Sequence, residues 1–210
     1  MLWVTTAHVH LDRVASPWLI ARFVDDDATF GFIGADDAVP PDATPFAIEG
    51  AELGRHDAEG STFRKILTKF SIEAPELQAM ARCVEVGIDV ALGRPVSDVH
   101  PEVMWRGQAM ASFSEAMAVL HPDDDAANLA ASATYYDAVY VSLWSAFGES
   151  RISGDLRQRI RAVRMARDWP ALLPAWPRDP DRRPRDRGGV RPSGVPAPAR
   201  VRADTAGADT

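Results

Sequence analysis

The chain has a single cysteine, Cys83, in 210 residues. That scarcity excludes an intrachain disulfide framework and any zinc site built from thiolates of one chain. Cys83 lies in the apolar run Met80 to Val84, where a thiol packs as a small, inert hydrophobe. Long hydrophobic runs are missing too. No stretch approaches the roughly 18 uninterrupted apolar residues of a membrane span. The N-terminus lacks the basic and apolar regions of a signal peptide, so no membrane association is expected and the cytoplasm is the expected compartment. The sequence also lacks HExxH, CxxC and GxGxxG patterns, a P-loop and a GxSxG elbow, each of which would have pointed to a particular chemistry.

What is present divides into an acidic body and a basic tail. Residues 1–150 carry 9 basic and 23 acidic side chains, and residues 151–210 carry 14 arginines and 7 aspartates. A body with a net charge of −14 repels phosphate backbones, so no specific nucleic-acid partner is expected. The segment 151–169 reads as a basic helical extension with Arg157, Arg161 and Arg164 on one face. Residues 170–210 hold 8 prolines and 8 arginines, a composition that buries too little apolar surface to offset its ordering entropy, and so read as a disordered tail.

Within the body, Leu2 to Thr6 reads as a strand and Arg13 to Val24 as a helix with Asp12 at its N-cap position. Thr29 to Ile33 and Pro45 to Glu49 read as further strands. Gly50 to Gly60 is a polar loop, and Ser61 is placed to cap a helix reaching about Phe70. Pro75 opens a helix that Gly87 is expected to end near Val86. Pro101 opens another that His121-Pro122 stops near Leu120, and the last follows Asp123-Asp-Asp125 to Phe147, with Gly148 as its cap. The fold class is α+β, with a small sheet near the N-terminus and a mainly helical second half.

Three polar clusters interrupt this pattern. His10, Asp12 and Arg13 sit where the first strand hands over to a helix. His56 lies in the loop Gly54 to Gly60, and Tyr136-Asp137 lies inside an apolar helix. Imidazole with carboxylate is the donor set of Zn, Fe or Mn sites that keep a position open for water or substrate. Other readings stand beside it. Asp12 can be a helix cap worth about 1 kcal/mol, and His56 can be a solvated loop residue. A buried Asp137 can be satisfied by an arginine such as Arg13 or Arg22.

The segment His10-Leu-Asp-Arg-Val-Ala-Ser-Pro-Trp-Leu-Ile-Ala-Arg-Phe-Val-Asp25 resembles the signature of the chromate resistance protein family, in its ChrB-type C-terminal domain. Pro45-Phe-Ala-Ile-Glu-Gly-Ala-Glu-Leu-Gly-Arg-His56 and Tyr136-Asp-Ala-Val-Tyr140 resemble two further blocks of that family, in the same order. Ser16 and Ser61 stand where members often carry cysteine, and Arg64 replaces a glutamate, so no thiolate role carries over. The resemblance implies the resistance or metal-handling domain, about residues 1–150, without the N-terminal domain of the regulator members.

The reading that follows is a transition-metal-binding domain that acts as a metal-dependent enzyme on a small oxygen-rich or anionic substrate. The cofactor would be divalent Fe, Mn or Zn. His10, Asp12, His56 and Asp137 would be metal ligands or acid–base groups, while Arg13, Arg22 and Tyr136 would contact the substrate, the guanidinium forks suiting oxyanions. Redox chemistry is preferred over hydrolysis. The alternative is a chromate or metal sensor that binds without turnover, and the third reading is a metal-dependent phosphoesterase.

Overall fold

The computed structural model describes residues 1–147; the expected basic extension, proline-rich tail and Gly148 cap lie outside them. A parallel three-stranded sheet has the order β2-β1-β3, with β1 (Leu2–Thr6) between β2 (Thr29–Ile33) and β3 (Thr44–Pro45). Trp3, Val4, Thr5 and Thr6 are all buried, as a central parallel strand covered on both faces requires. Five helices complete the architecture: α1 (Asp12–Leu19), α2 (Thr62–Lys69), α3 (Pro75–Ala91), α4 (Pro101–Leu120) and α5 (Asp125–Phe147). The class is α+β. None of the described helices is long and apolar enough to cross a membrane.

Three boundaries depart from the sequence reading. The third strand stops at Pro45 instead of reaching Glu49. Phe46 still donates its N–H to the Val4 carbonyl (2.9 Å), but Ala47 takes a left-handed φ of 51° and turns its N–H to Leu53 O (2.7 Å). The first helix begins at Asp12, with Leu11 as its N-cap, and continues as a π-helical turn over Ile20–Val24. That turn is closed by Asp25 N–H donating to Ile20 O at 2.8 Å.

The third departure concerns Gly87, which does not end α3. The helix runs on to Ala91, and Gly87 instead marks the crossing with α4. A Cβ on Gly87 would lie 3.0 Å from Gly107 O. One on Gly107 would lie 2.5 Å from Val86 Cγ1 and 2.8 Å from Cys83 O. The two glycines let the helix backbones approach to near contact, which is why the glycine signal, read as a stop, is here a packing device.

The remaining helix signals act as expected. Ser61 Oγ accepts from Arg64 N–H at 3.1 Å, and His100 Nδ1 accepts from Glu102 N–H at 3.1 Å. Trp18 is the hub between α1, α2 and α5: its ring stacks on Phe63 (6.5 Å) and meets Phe23 (5.6 Å) and Tyr140 (5.8 Å). Cys83 is buried, and burial pushes its thiol up to about 12, which fits the inert role.

Gly107→Ala is expected to force α3 and α4 apart, at a cost of about 1–3 kcal/mol. A fall in melting temperature of several degrees in a thermal denaturation scan checks this, and an unchanged midpoint contradicts it.

Candidate functional site

The connection from β1 to α1 is strained and heavily held. His8 and Leu11 both adopt positive φ, 61° and 43°, conformations costing about 1–3 kcal/mol each for residues with a Cβ. The second half of the chain secures them. Asp125 accepts the N–H groups of His8 (2.9 Å) and Val9 (2.7 Å). Ser114 Oγ on α4 accepts Leu11 N–H at 2.5 Å, and Asn128 Nδ2 on α5 donates to Val9 O at 3.1 Å. The Arg13 guanidinium donates to Thr6 O, Thr6 Oγ1, Ala7 O and His8 O at 2.6 to 3.0 Å. All four acceptors are neutral, so Arg13 knits the loop together while keeping its positive charge.

Asp12 is the second fastening. Its Oδ2 accepts Thr62 N–H at 2.8 Å, and its Oδ1 accepts Phe63 N–H and the Ser16 hydroxyl, both at 3.1 Å. The carboxylate therefore serves the buried amides at the start of α2, where helix geometry leaves N–H groups without intrahelical partners. It does not cap its own helix, and in this respect the sequence reading is corrected. Burial pushes the Asp12 carboxyl above its ordinary range, against the downward pull of those donors.

The loop before α2 is pinned in turn. Thr62 Oγ1 donates to Gly54 O (2.8 Å), and Lys65 Nζ donates to Arg55 O (2.9 Å) and Asp57 Oδ2 (2.5 Å). With both segments held, a cavity of about 540 Å³ opens between them and the helices. One wall comes from His10, Leu11, Asp12 and Arg13, and a second from Ala47, Arg55, His56 and Thr62. The end of α3 adds Ile88, Ala91 and Leu92, and the middle of α4 adds Ala111, Ser114 and Glu115.

The cavity brings together four of the seven residues singled out in the sequence: His10, Asp12, Arg13 and His56. Arg13 and Arg55 are near enough that, after burial, Arg55 is the main influence lowering the Arg13 pKa. His56 Nδ1 is enclosed and has no hydrogen-bond partner among the described residues. A buried polar atom left open in this way calls for an explanation, such as a group contributed by a ligand.

Arg22, Tyr136 and Asp137 are not among the residues lining the cavity. Arg22 donates through Nε and Nη2 to Asp137 Oδ1 (3.0 Å) and Oδ2 (2.5 Å), and Trp18 Nε1 donates to Oδ1 at 2.9 Å. This is the ion-pair alternative for Asp137. Tyr136 is buried, donates to Leu11 O at 3.4 Å and has its phenol pushed well up by burial; it braces the strained loop and does not face a substrate. The four expected ligands thus do not form one cluster. Among the described residues, no group of three or more His, Cys, Asp and Glu side chains is placed to hold a metal.

Four polar lining residues carried no assigned role in the sequence reading: Arg55, Thr62, Ser114 and Glu115. Arg55 was visible only as a member of the polar cluster Arg55 to Glu59 around His56. Ser114 and Glu115 share a face of α4 with Ala111, at spacings of three and four, but a serine and a glutamate on a helix carry no signal of their own.

The family model described as "ChrB, C-terminal domain" matches residues 3–143. Protein ChrB of Cupriavidus metallidurans (strain ATCC 43123 / DSM 2839 / NBRC 102507 / CH34) is 34% identical over 97 residues, covering 46% of this chain and 29% of that protein. The chain therefore matches less than a third of that relative's length. No solved structure matches the chain.

Asp12→Ala is expected to strand the amides of Thr62 and Phe63 and lower stability by about 2–6 kcal/mol, at about 1–3 kcal/mol per unsatisfied buried group. Chemical denaturation measures this; a loss below about 0.5 kcal/mol, within ordinary surface-substitution range, contradicts the fastening role.

Proposed function

The chain belongs to the ChrB C-terminal domain family of chromate resistance proteins, and from that premise we propose that the cavity binds a small oxygen-rich anion, making the domain a binder or sensor of the chromate class. The observation that carries this reading is the convergence of Arg13, Arg55, His10 and His56 on one cavity. Arg13 has only neutral hydrogen-bond acceptors, and Asp125 and Asp12 act on its charge from nearby without direct hydrogen bonds to it. Arg55 adds a second guanidinium from the opposing loop, and the imidazoles add ring N–H donors. Charge-assisted hydrogen bonds of this kind are roughly twice as strong as neutral ones. Two carboxylates line the same cavity and offset part of this charge: Glu115 at the α4 wall, and Asp12, whose oxygens are held by amide donors.

The acidic body does not attract anions over long range, so recognition falls to this local arrangement. That favours a ligand held by several short hydrogen bonds over one gathered by bulk charge. The guanidiniums of Arg13 and Arg55 supply hydrogen-bond donors to the cavity, which suits recognition of an oxyanion.

The metal-dependent enzyme is the second reading. Its support is that His10 and His56 line the same cavity as Glu115, with His56 Nδ1 unpartnered. The full set His10, Asp12, His56 and Asp137 does not fit, because Asp12 and Asp137 are committed to the α2 amides and to Arg22. The two imidazoles and Glu115 line the cavity but are not placed as one metal-holding group, so a divalent Fe, Mn or Zn would have to draw them together on binding.

Calorimetric titration of the full chain with chromate, and with sulfate as its non-oxidising analogue, tests the proposal. Binding is expected to weaken by about tenfold or more in Arg55→Ala and in His56→Ala, since a hydrogen bond to a charged group contributes about 1.5–3 kcal/mol. If neither anion binds at millimolar concentration, or if both variants bind like the wild type, the oxyanion reading fails. Stoichiometric metal in untagged protein, lost in His56→Ala, would favour the second reading.

A further inference from the structure

The cavity is larger than a bare oxyanion needs. Four oxygens around a central atom fill on the order of 100 Å³, a few water-sized volumes of about 30 Å³ each. The cavity holds about 540 Å³, within the range of about 300–1,000 Å³ typical of sites for organic ligands.

Its chemistry is also two-sided. The guanidiniums and imidazoles come from the β1–α1 connection and the loop before α2. The end of α3 contributes Ile88, Ala91 and Leu92, which share a helix face by their spacing of three and four. Ala111 extends this surface from α4, beside Ser114 and Glu115 at its edge. Leu92 is 58% exposed, a large aliphatic side chain left in water at the edge of a cavity. A polar side that supplies hydrogen-bond donors, facing an apolar side that lacks them, suits a ligand with an anionic head and a hydrocarbon body.

We propose that the natural ligand is such an organic anion, a carboxylate or phosphate monoester whose head meets Arg55 and His56 and whose apolar body lies along Ile88, Ala91, Leu92 and Ala111. This rests on the anion-binding reading above and extends it. The oxyanion then occupies only the head position of a larger site. A signal molecule or metabolite of this form would bind more tightly than chromate or sulfate, because burial of each methylene adds about 0.8 kcal/mol, close to fourfold in affinity.

Titration of the full chain with acetate, butyrate, hexanoate and octanoate tests this, with octyl phosphate as a second head group and octanol as the uncharged control. The expected result is affinity rising about fifteenfold with each two-carbon extension that is fully buried, little binding of octanol, and loss of octanoate binding in Arg55→Ala. Leu92→Asn, at an exposed position, is expected to flatten the dependence on chain length. Tighter binding of octyl phosphate than octanoate would assign the head as a phosphate, and the reverse a carboxylate. Equal affinity for acetate and octanoate, with both lost in Arg55→Ala, would overturn the apolar-body proposal and leave the anion site standing. Octanol binding as tightly as octanoate, or no binding of any probe, would overturn both.

Discussion

The carboxylate of Asp12 is the point on which the architecture turns. It is buried beside the first turn of α1, yet it spends its acceptors on the amides of Thr62 and Phe63 at the start of α2. Those amides lie 50 residues along the chain and would otherwise be orphaned at a helix end. The same bond that completes α2 therefore fixes the loop before it, and with it Arg55 and His56, against the segment carrying His10 and Arg13. An aspartate that seems to belong to its own helix is what joins the two polar walls of the cavity.

The other constraint is the strain in the β1–α1 connection. His8 and Leu11 hold left-handed conformations because Asp125, Ser114, Asn128 and Tyr136 grip the backbone around them. All four come from α4 and α5. The helical second half thus sets the shape of the N-terminal loop, and the close crossing at Gly87 and Gly107 sets how near α4 can come. Packing far from the cavity and the geometry of its walls are parts of one arrangement.

Much of this was legible in the sequence, for reasons that differ by residue. Helix starts at Ser61, Pro75 and Pro101 were readable because caps and N-terminal prolines act locally. The grouping of His10, Arg13 and His56 came from residue chemistry and the order of the family's blocks. Asp137 and Tyr136 misled because an apolar helix interrupted by polar groups looks the same whether those groups serve a site or, as here, an ion pair with Arg22 and a brace for Leu11. Asp12 was legible as a cap but not as the cap of a different helix, since only the tertiary fold brings Thr62 to it. Gly87 read as a stop for the same reason: its partner, Gly107, lies on another helix. Ser114 and Glu115 left no trace, because their significance comes entirely from the wall they face.

Together these features describe a preformed cavity whose cationic wall is assembled by a buried aspartate and whose far side is apolar apart from Ser114 and Glu115. The most direct measurement of the central claim is an anomalous-difference map at the chromium edge from crystals of the full chain soaked with chromate. The expected result is a peak in the cavity, within hydrogen-bond distance of the Arg55 guanidinium and His56 Nδ1. A peak confined to the Arg22–Asp137 pair or to surface arginines, with the cavity empty, would contradict it.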